Sequence, residues 1–140
     1  MRKELDKNFD FKKSEKKIYD NWLEKKFFHA EVDKNKKPYT IMMPPPNITG
    51  VLHMGHALDC TIQDIIIRFK RMQGFNAMWL PGTDHASIST EVKVANKLKS
   101  EGIDKKVIGR EKFLEYVFDW KNKYGNTIVE QIKRLGCSCD

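Results

Sequence analysis

No run of apolar residues in this chain approaches the ~18 needed to cross a bilayer. The opening Met1-Arg2-Lys3-Glu4-Leu5-Asp6 leads into no apolar signal core. These two absences point away from a membrane or secreted protein and toward a cytoplasmic one. Cysteine is scarce: Cys60, Cys137 and Cys139 are the three. An odd number with no signal segment speaks against a disulfide framework. Cys137-Ser138-Cys139 is a C-x-C rather than the C-x-x-C of a zinc knuckle, and no second pair exists. No protein-bound metal is therefore expected, and the thiols read as small side chains packed near a helix end. Internal repeats and low-complexity tracts are also missing. With 40% hydrophobic and 32% charged residues, disorder throughout is excluded. The 140 residues allow one domain or part of one.

What is present in excess is positive charge: 26 Lys and Arg against 19 Asp and Glu, a net +7. The lysines gather early, from Lys12 to Lys37, but Asp10, Glu15, Asp20, Glu24, Glu31 and Asp33 are interleaved with them. That pattern reads as a solvated face, with a polyanion such as RNA as the alternative partner.

Residues 1–13 are polar and read as frayed or loosely docked. Ser14 before Glu15 resembles a helix N-cap, and Ile18, Trp22 and Leu23 recur at helical spacing, which predicts a helix over residues 15–26. Tyr39 to Met43 is short, apolar and rich in strand formers, and Pro44, Pro45 and Pro46 end it because they cannot donate to a ladder. Leu58, Ile62, Ile65, Phe69 and Met72 form one helical stripe closed by Gly74. Residues 75–80 form an unbroken apolar run that suits a strand buried on both faces, ended by Pro81-Gly82. A helix from about Ser89 to Gly102 carries Val92, Ala95 and Leu98. A long helical stripe follows from Phe113 through Trp120, Tyr124, Ile128 and Ile132 to Leu135, with Gly125 as a candidate kink. Strands alternating with helices predict a parallel α/β sheet. Two strands do not complete such a sheet, so the chain either needs a partner or reads as the front part of a larger α/β domain, an incomplete Rossmann-like fold. Residues 1–38 are its helical extension and residues 39–140 its first half.

In an open parallel sheet, ligands bind beyond the carboxyl ends of the strands. Both strands here end in unusual loops, residues 44–56 and 81–86, and every histidine except His29 lies in them. His53-Met54-Gly55-His56 sits where a helix begins, and a helix N-terminus favours an anion. Positions i and i+3 share a helix face, so His53 and His56 can point together, with Gly55 letting a ligand approach the backbone. This suits a nucleotide site. The alternatives are two ordinary surface histidines or a zinc pair completed by His85, although zinc prefers i, i+4 on a helix.

Pro44-Pro45-Pro46-Asn47-Ile48-Thr49-Gly50-Val51-Leu52-His53-Met54-Gly55-His56, followed at a distance by Trp79-Leu80-Pro81-Gly82-Thr83-Asp84-His85-Ala86, closely resembles the valyl-type class I aminoacyl-tRNA synthetases. His53 to His56 matches the His-x-Gly-His motif of that class. The resemblance runs from the segment around Trp22 to Arg134-Leu135-Gly136. It implies ATP-dependent activation of valine to valyl-adenylate and transfer of the valyl group to tRNA(Val). His53 and His56 would meet ATP, carried with Mg²⁺, and Gly55 would let adenine pack on the backbone. Pro45 and Asn47 would line the amino-acid pocket, and Asp84 would hold the substrate ammonium, where a carboxylate is the sensible partner. Asp84 also reads as a plain helix N-cap.

Ser87, Ser89 and Glu91 depart from the family pattern, and Glu91 adds a negative charge near the cleft if it faces inward. The family's Lys-Met-Ser-Lys-Ser loop, its editing insertion and its anticodon-binding helices have no counterpart in these 140 residues. The chain thus reads as an N-terminal fragment, partnered by the remainder of a synthetase and too weak alone to charge tRNA. Two other classes compete: a small nucleotidyltransferase using the same histidine pair, and a non-catalytic RNA-binding fragment.

Overall fold

The structure is a computed structural model that describes residues 8–140. The first seven residues of the segment expected to fray lie outside that range. Six elements follow in order: α1 (Phe11–Glu24), β1 (Pro38–Met42), α2 (Met54–Met72), β2 (Asn76–Leu80), α3 (Ser87–Ser100) and α4 (Lys105–Arg134).

The two strands pair in parallel, from Pro38 opposite Asn76 to Met42 opposite Leu80. Parallel pairing demands a crossover, and α2 supplies it. Tyr39 and Ile41 share a sheet face with Ala77 and Trp79, and that face packs in one core with Cys60 and Ile67 of α2 and Ile128 and Ile132 of α4. Trp79 is wholly buried, and its indole N–H donates to Gln63 Oε1 at 2.9 Å. The opposite face is open: Met42 and Leu80 are exposed and Met78 is half-buried. The sequence predicts β2 buried on both faces; the structure buries one, because α2 and α4 share a single core with the sheet. The result is the incomplete Rossmann-like unit that the alternation implies.

The α2 stripe corrects a second expectation. Leu58, Ile62, Ile65, Phe69 and Met72 are all at least half exposed, while Ile67 and Cys60 face the core. The helix therefore carries two apolar faces, and the sheet takes the less regular one. That face is bordered by polar residues with specific partners. Asp64 Oδ1 accepts from the Ser138 N–H and hydroxyl at 2.8 and 2.5 Å, and its Oδ2 accepts from Arg68 at 2.6 Å. Arg71 donates to the Ser138 hydroxyl and carbonyl. These bonds hold the buried 137–138 segment against α2, and the Tyr19 hydroxyl ties α1 to the Cys137 carbonyl at 2.8 Å. Burial pushes the thiols of Cys60, Cys137 and Cys139 up, Cys139 to about 11. They are neutral packing groups; Cys137 and Cys139 follow the end of α4, as expected, whereas Cys60 lies inside α2.

Helix boundaries differ in three places. α1 starts at Phe11 behind Asp10, and Ser14 does not cap it: its hydroxyl lies 3.5 Å from the Asp10 carbonyl inside the first turn. α3 starts at Ser87, preceded by Ala86 in the left-handed region (φ 45), and no side chain caps it. Its buried face is Thr90, Val94 and Leu98; Val94 and Leu98 join Phe113 in a second core, whereas Val92 is exposed. α4 runs unbroken through Gly125; its interruption is at Gly109, whose φ of 75 suits glycine.

Candidate functional site

Pro44 to Pro46 stop β1, but they do not end the contact between the two chain segments. The Met43 N–H donates to the Leu80 carbonyl at 2.9 Å. Farther along, the Asp84 N–H donates to the Pro46 carbonyl at 2.9 Å, and the Ile48 N–H donates to the Asp84 carbonyl at 3.0 Å. Asn47 and Asp84 thus form an isolated parallel bridge. The loops after β1 and β2 are stitched together by backbone, beyond the carboxyl ends of both strands. Ile48, 1% exposed, is the apolar plug beneath this junction, and Pro46 is buried beside it.

The first loop delivers the chain to the start of α2, where the histidines cap the helix. His53 is the N-cap, and its Nδ1 accepts from the Gly55 N–H at 3.1 Å. His56 returns the contact: its Nδ1 accepts from the His53 N–H at 3.2 Å. This is a capping box built from two imidazoles, in place of the Ser/Thr and Glu/Gln that usually form one. Their ring centroids lie 4.0 Å apart. A ring nitrogen that accepts a hydrogen bond carries no proton. Both capping contacts therefore assign the neutral ring with its proton on Nε2, so each histidine presents an Nε2–H donor away from the backbone. Burial and the neighbouring His53 lower the pKa of His56, with Asp59 opposing, which favours the same neutral form. Gly55 has a reason of its own: a Cβ there would meet His53 Cε1 at 2.9 Å. Its missing side chain admits the capping ring as well as any ligand.

A hollow of about 610 Å³ opens over this helix start, walled by Pro44 to Asn47, Thr49 to His53, Gly55 and His56, with Asp59 completing it. The expected site residues are brought together here with three exceptions. Ile48 lies in the core below, and Met54 is 82% exposed outside the wall. Asp84 is adjacent through the backbone bridge but does not line the hollow. Its Oδ1 accepts from the Ala86 N–H at 2.8 Å, so it closes a turn before α3 and is not the N-cap residue. His85 is likewise outside the wall, and no group of three His, Cys, Asp or Glu among the described residues is arranged around a metal. Glu91, suspected of facing the cleft, is ion-paired with Lys105. A larger hollow of about 720 Å³ lies between α1 and the end of α4, but no residue of either loop touches it.

Two residues outside both motifs also hold the site. The Trp120 indole N–H donates to the Ile48 carbonyl at 2.7 Å, and Gln131 Oε1 accepts from the Leu52 N–H at 2.9 Å. A half-buried tryptophan needs a partner for its N–H, which is a signal for Trp120; nothing in the sequence singles out Gln131.

The geometry is that of a neutral-donor, helix-N-terminal site at the head of a parallel sheet, and known proteins share both its sequence and its fold. The valine–tRNA ligase of Clostridium perfringens is 59% identical over 138 residues, 99% of this chain and 16% of the relative. That of Clostridium acetobutylicum is 61% identical over 137 residues, 98% of this chain and 16% of the relative. That of Christiangramia forsetii is 56% identical over 132 residues. The chain thus spans about one sixth of the length of these curated relatives. A crystal structure of the ternary complex of Agrobacterium radiobacter K84 agnB2 LeuRS-tRNA-LeuAMS superposes with a TM-score of 0.73 at 17% identity, covering 94% of this chain and 15% of that one. It shares the fold. The family model described as tRNA synthetases class I (I, L, M and V) matches residues 17–140, which include both stitched loops and the histidine-capped helix, and the chain belongs to that family.

Proposed function

We propose that this chain forms the amino-acid- and ATP-binding part of a valine–tRNA ligase. In the proposed reaction a valine carboxylate oxygen attacks the α-phosphorus of ATP, the bond to pyrophosphate breaks, and valyl-adenylate forms. A terminal ribose hydroxyl of tRNA(Val) then attacks the valyl carbonyl and AMP leaves. The observation that carries this reading is the pair of capped imidazoles beside the Asn47–Asp84 bridge. Two neutral Nε2–H donors at the start of α2 suit the phosphates of ATP, and their positions are fixed before the ligand arrives. Gly55, exposed beside them, leaves space for the adenosine side. Pro45 and Asn47 form the valine wall. Asp84 receives the substrate ammonium on Oδ2, since its turn occupies Oδ1. Mg²⁺ arrives with the triphosphate and neutralises it, and no protein-bound metal enters the reading. In this proposal residues 1–38 are a helical extension and residues 39–140 the first half of the catalytic domain, and the protein acts in translation in the cytoplasm.

Thermal-shift titration tests it. MgATP and a valyl-adenylate analogue are expected to raise the melting temperature, and an alanyl analogue to raise it less. Stabilisation by tRNA alone, lost at high salt, with no response to either small ligand, would replace this reading with an RNA-binding one.

A further inference from the structure

We infer that Trp120 and Gln131 of α4 are positioning residues that set the imidazole pair through the loop joining β1 to α2; the inference rests on the ATP site proposed above. Backbone groups of residues 48–52 make three hydrogen bonds to the rest of the fold, one to backbone and two to side chains. The Ile48 N–H goes to the β2 loop through Asp84, the Ile48 carbonyl goes to Trp120 at 2.7 Å, and the Leu52 N–H goes to Gln131 at 2.9 Å. The two bonds to α4 bracket Thr49, Gly50 and Val51, which line the hollow. Leu52 is adjacent to His53, so the second bond ends one residue before the N-cap. Trp120 and Gln131 are about three helical turns apart, and each grips one end of the same short loop. α4 is itself immobilised: Ile128 and Ile132, 0% and 4% exposed, lock it into the core that holds Trp79. Tyr124 lies against the Trp120 indole, with ring centroids 4.3 Å apart, and fixes its direction. α4 thereby acts as a ruler between the sheet and the start of α2. Removing either grip strands a loop carbonyl or N–H, and the loop must move to rehydrate it.

The experiment compares the chain with Gln131→Leu, Gln131→Glu, Trp120→Phe and Ile132→Val. Two measurements are made well below each melting temperature: long-range ¹H–¹⁵N spectra of the His53 and His56 rings, and calorimetric titration with MgATP. Gln131→Glu keeps the acceptor and is expected to retain the Nε2–H signature and affinity within about twofold. Gln131→Leu and Trp120→Phe are expected to mix the two tautomers and weaken MgATP about tenfold, the scale of one net hydrogen bond. Ile132→Val lowers stability through the same helix and leaves ring signals and affinity unchanged. Unaltered ring signals in both Gln131→Leu and Trp120→Phe would overturn the inference, whatever MgATP does. A wild-type chain that ignores MgATP yet shows the tautomer change would retain the positioning role and remove the ATP reading.

Discussion

Gly55→Ala separates the stability of the helix start from its function. Gly55 is the second residue of α2, and an added Cβ would lie 2.9 Å from His53 Cε1 and 3.1 Å from Nδ1. Both are side-chain atoms of an exposed residue, so the ring can swing outward. Swinging forfeits the Nδ1 contact to the residue 55 N–H, a capping bond worth about 1 kcal/mol. Alanine in place of glycine returns up to roughly 1 kcal/mol of helix propensity. The two terms nearly cancel, and urea unfolding is expected to show a change within about 1 kcal/mol. Function does not cancel. The displaced ring takes its Nε2–H with it, and a hydrogen bond to a charged group is worth about 1.5–3 kcal/mol. MgATP affinity should therefore fall by roughly ten- to a hundredfold. A loss of more than ~3 kcal/mol of stability would mean that the ring cannot move. Wild-type MgATP affinity would mean that His53 is not a donor to the nucleotide. Either result refutes the reasoning.

Three further outcomes follow from the same structure. Ile67→Ala, at a fully buried position, should cost about 2–5 kcal/mol, whereas Ile65→Ala, two residues away and 62% exposed, should stay within about 0.5 kcal/mol; chemical denaturation of the pair checks which face of α2 is the core. Asp64→Asn removes the charge that Arg68 pairs with and is expected to cost about 1–3 kcal/mol, read by the same assay, with exchange of the Ser138 amide accelerated. The two perturbed histidines should respond to pH with opposite sign. Hydrogen bonds to Asp140 and then Glu31 raise the pKa of His29, so its contribution is complete below the unfolded value near 6.5 and fades as pH climbs through the higher folded value. His56 is lowered, so its contribution is intact above that value and is lost as pH falls through it toward the folded one. Melting temperatures of His29→Gln and His56→Gln against pH should therefore lose slope on opposite sides of about 6.5. A shared side would contradict the assignment.

Local signals in the sequence were sufficient for the elements but not for their faces. β1, α2 and β2 fall within a residue or two of the expected spans, because prolines and Gly74 punctuate them. The choice of buried face was not local. The stripe from Leu58 to Met72 is the most regular on α2, yet it faces solvent. Periodicity reports that a face is apolar and does not say which neighbour takes it. Here Asp64, Arg68 and Arg71 decide, because their partners lie in the Ser138 segment, about seventy residues on. Caps failed for a related reason. Ser14 and Asp84 have the right chemistry, but Asp10 sets the entry to α1, and Asp84 closes a turn two residues before the left-handed Ala86 that precedes α3. The glycine break falls at 109 instead of 125, between Ile108 and Phe113, which pack into the same second core.

The site was legible where one short segment carried both its chemistry and its geometry. His53, Gly55 and His56 satisfy each other's backbone and side-chain needs within four residues, so the spacing alone placed the rings on one face. The meeting of the two loops was legible from topology, since parallel strands put their carboxyl ends side by side, and the Asn47–Asp84 bridge is the consequence. Illegible were the contacts that fix how far the loop stands from the sheet. Those belong to Trp120 and Gln131, two members of a long helix whose pattern otherwise looks like ordinary core packing. Donors at a helix start are worth most when nothing has to reorganise around a developing charge. The further contacts that restrain this loop come from α4, outside the loop itself and so outside any motif that describes it. A motif search therefore finds the donors of this site and misses what makes them rigid.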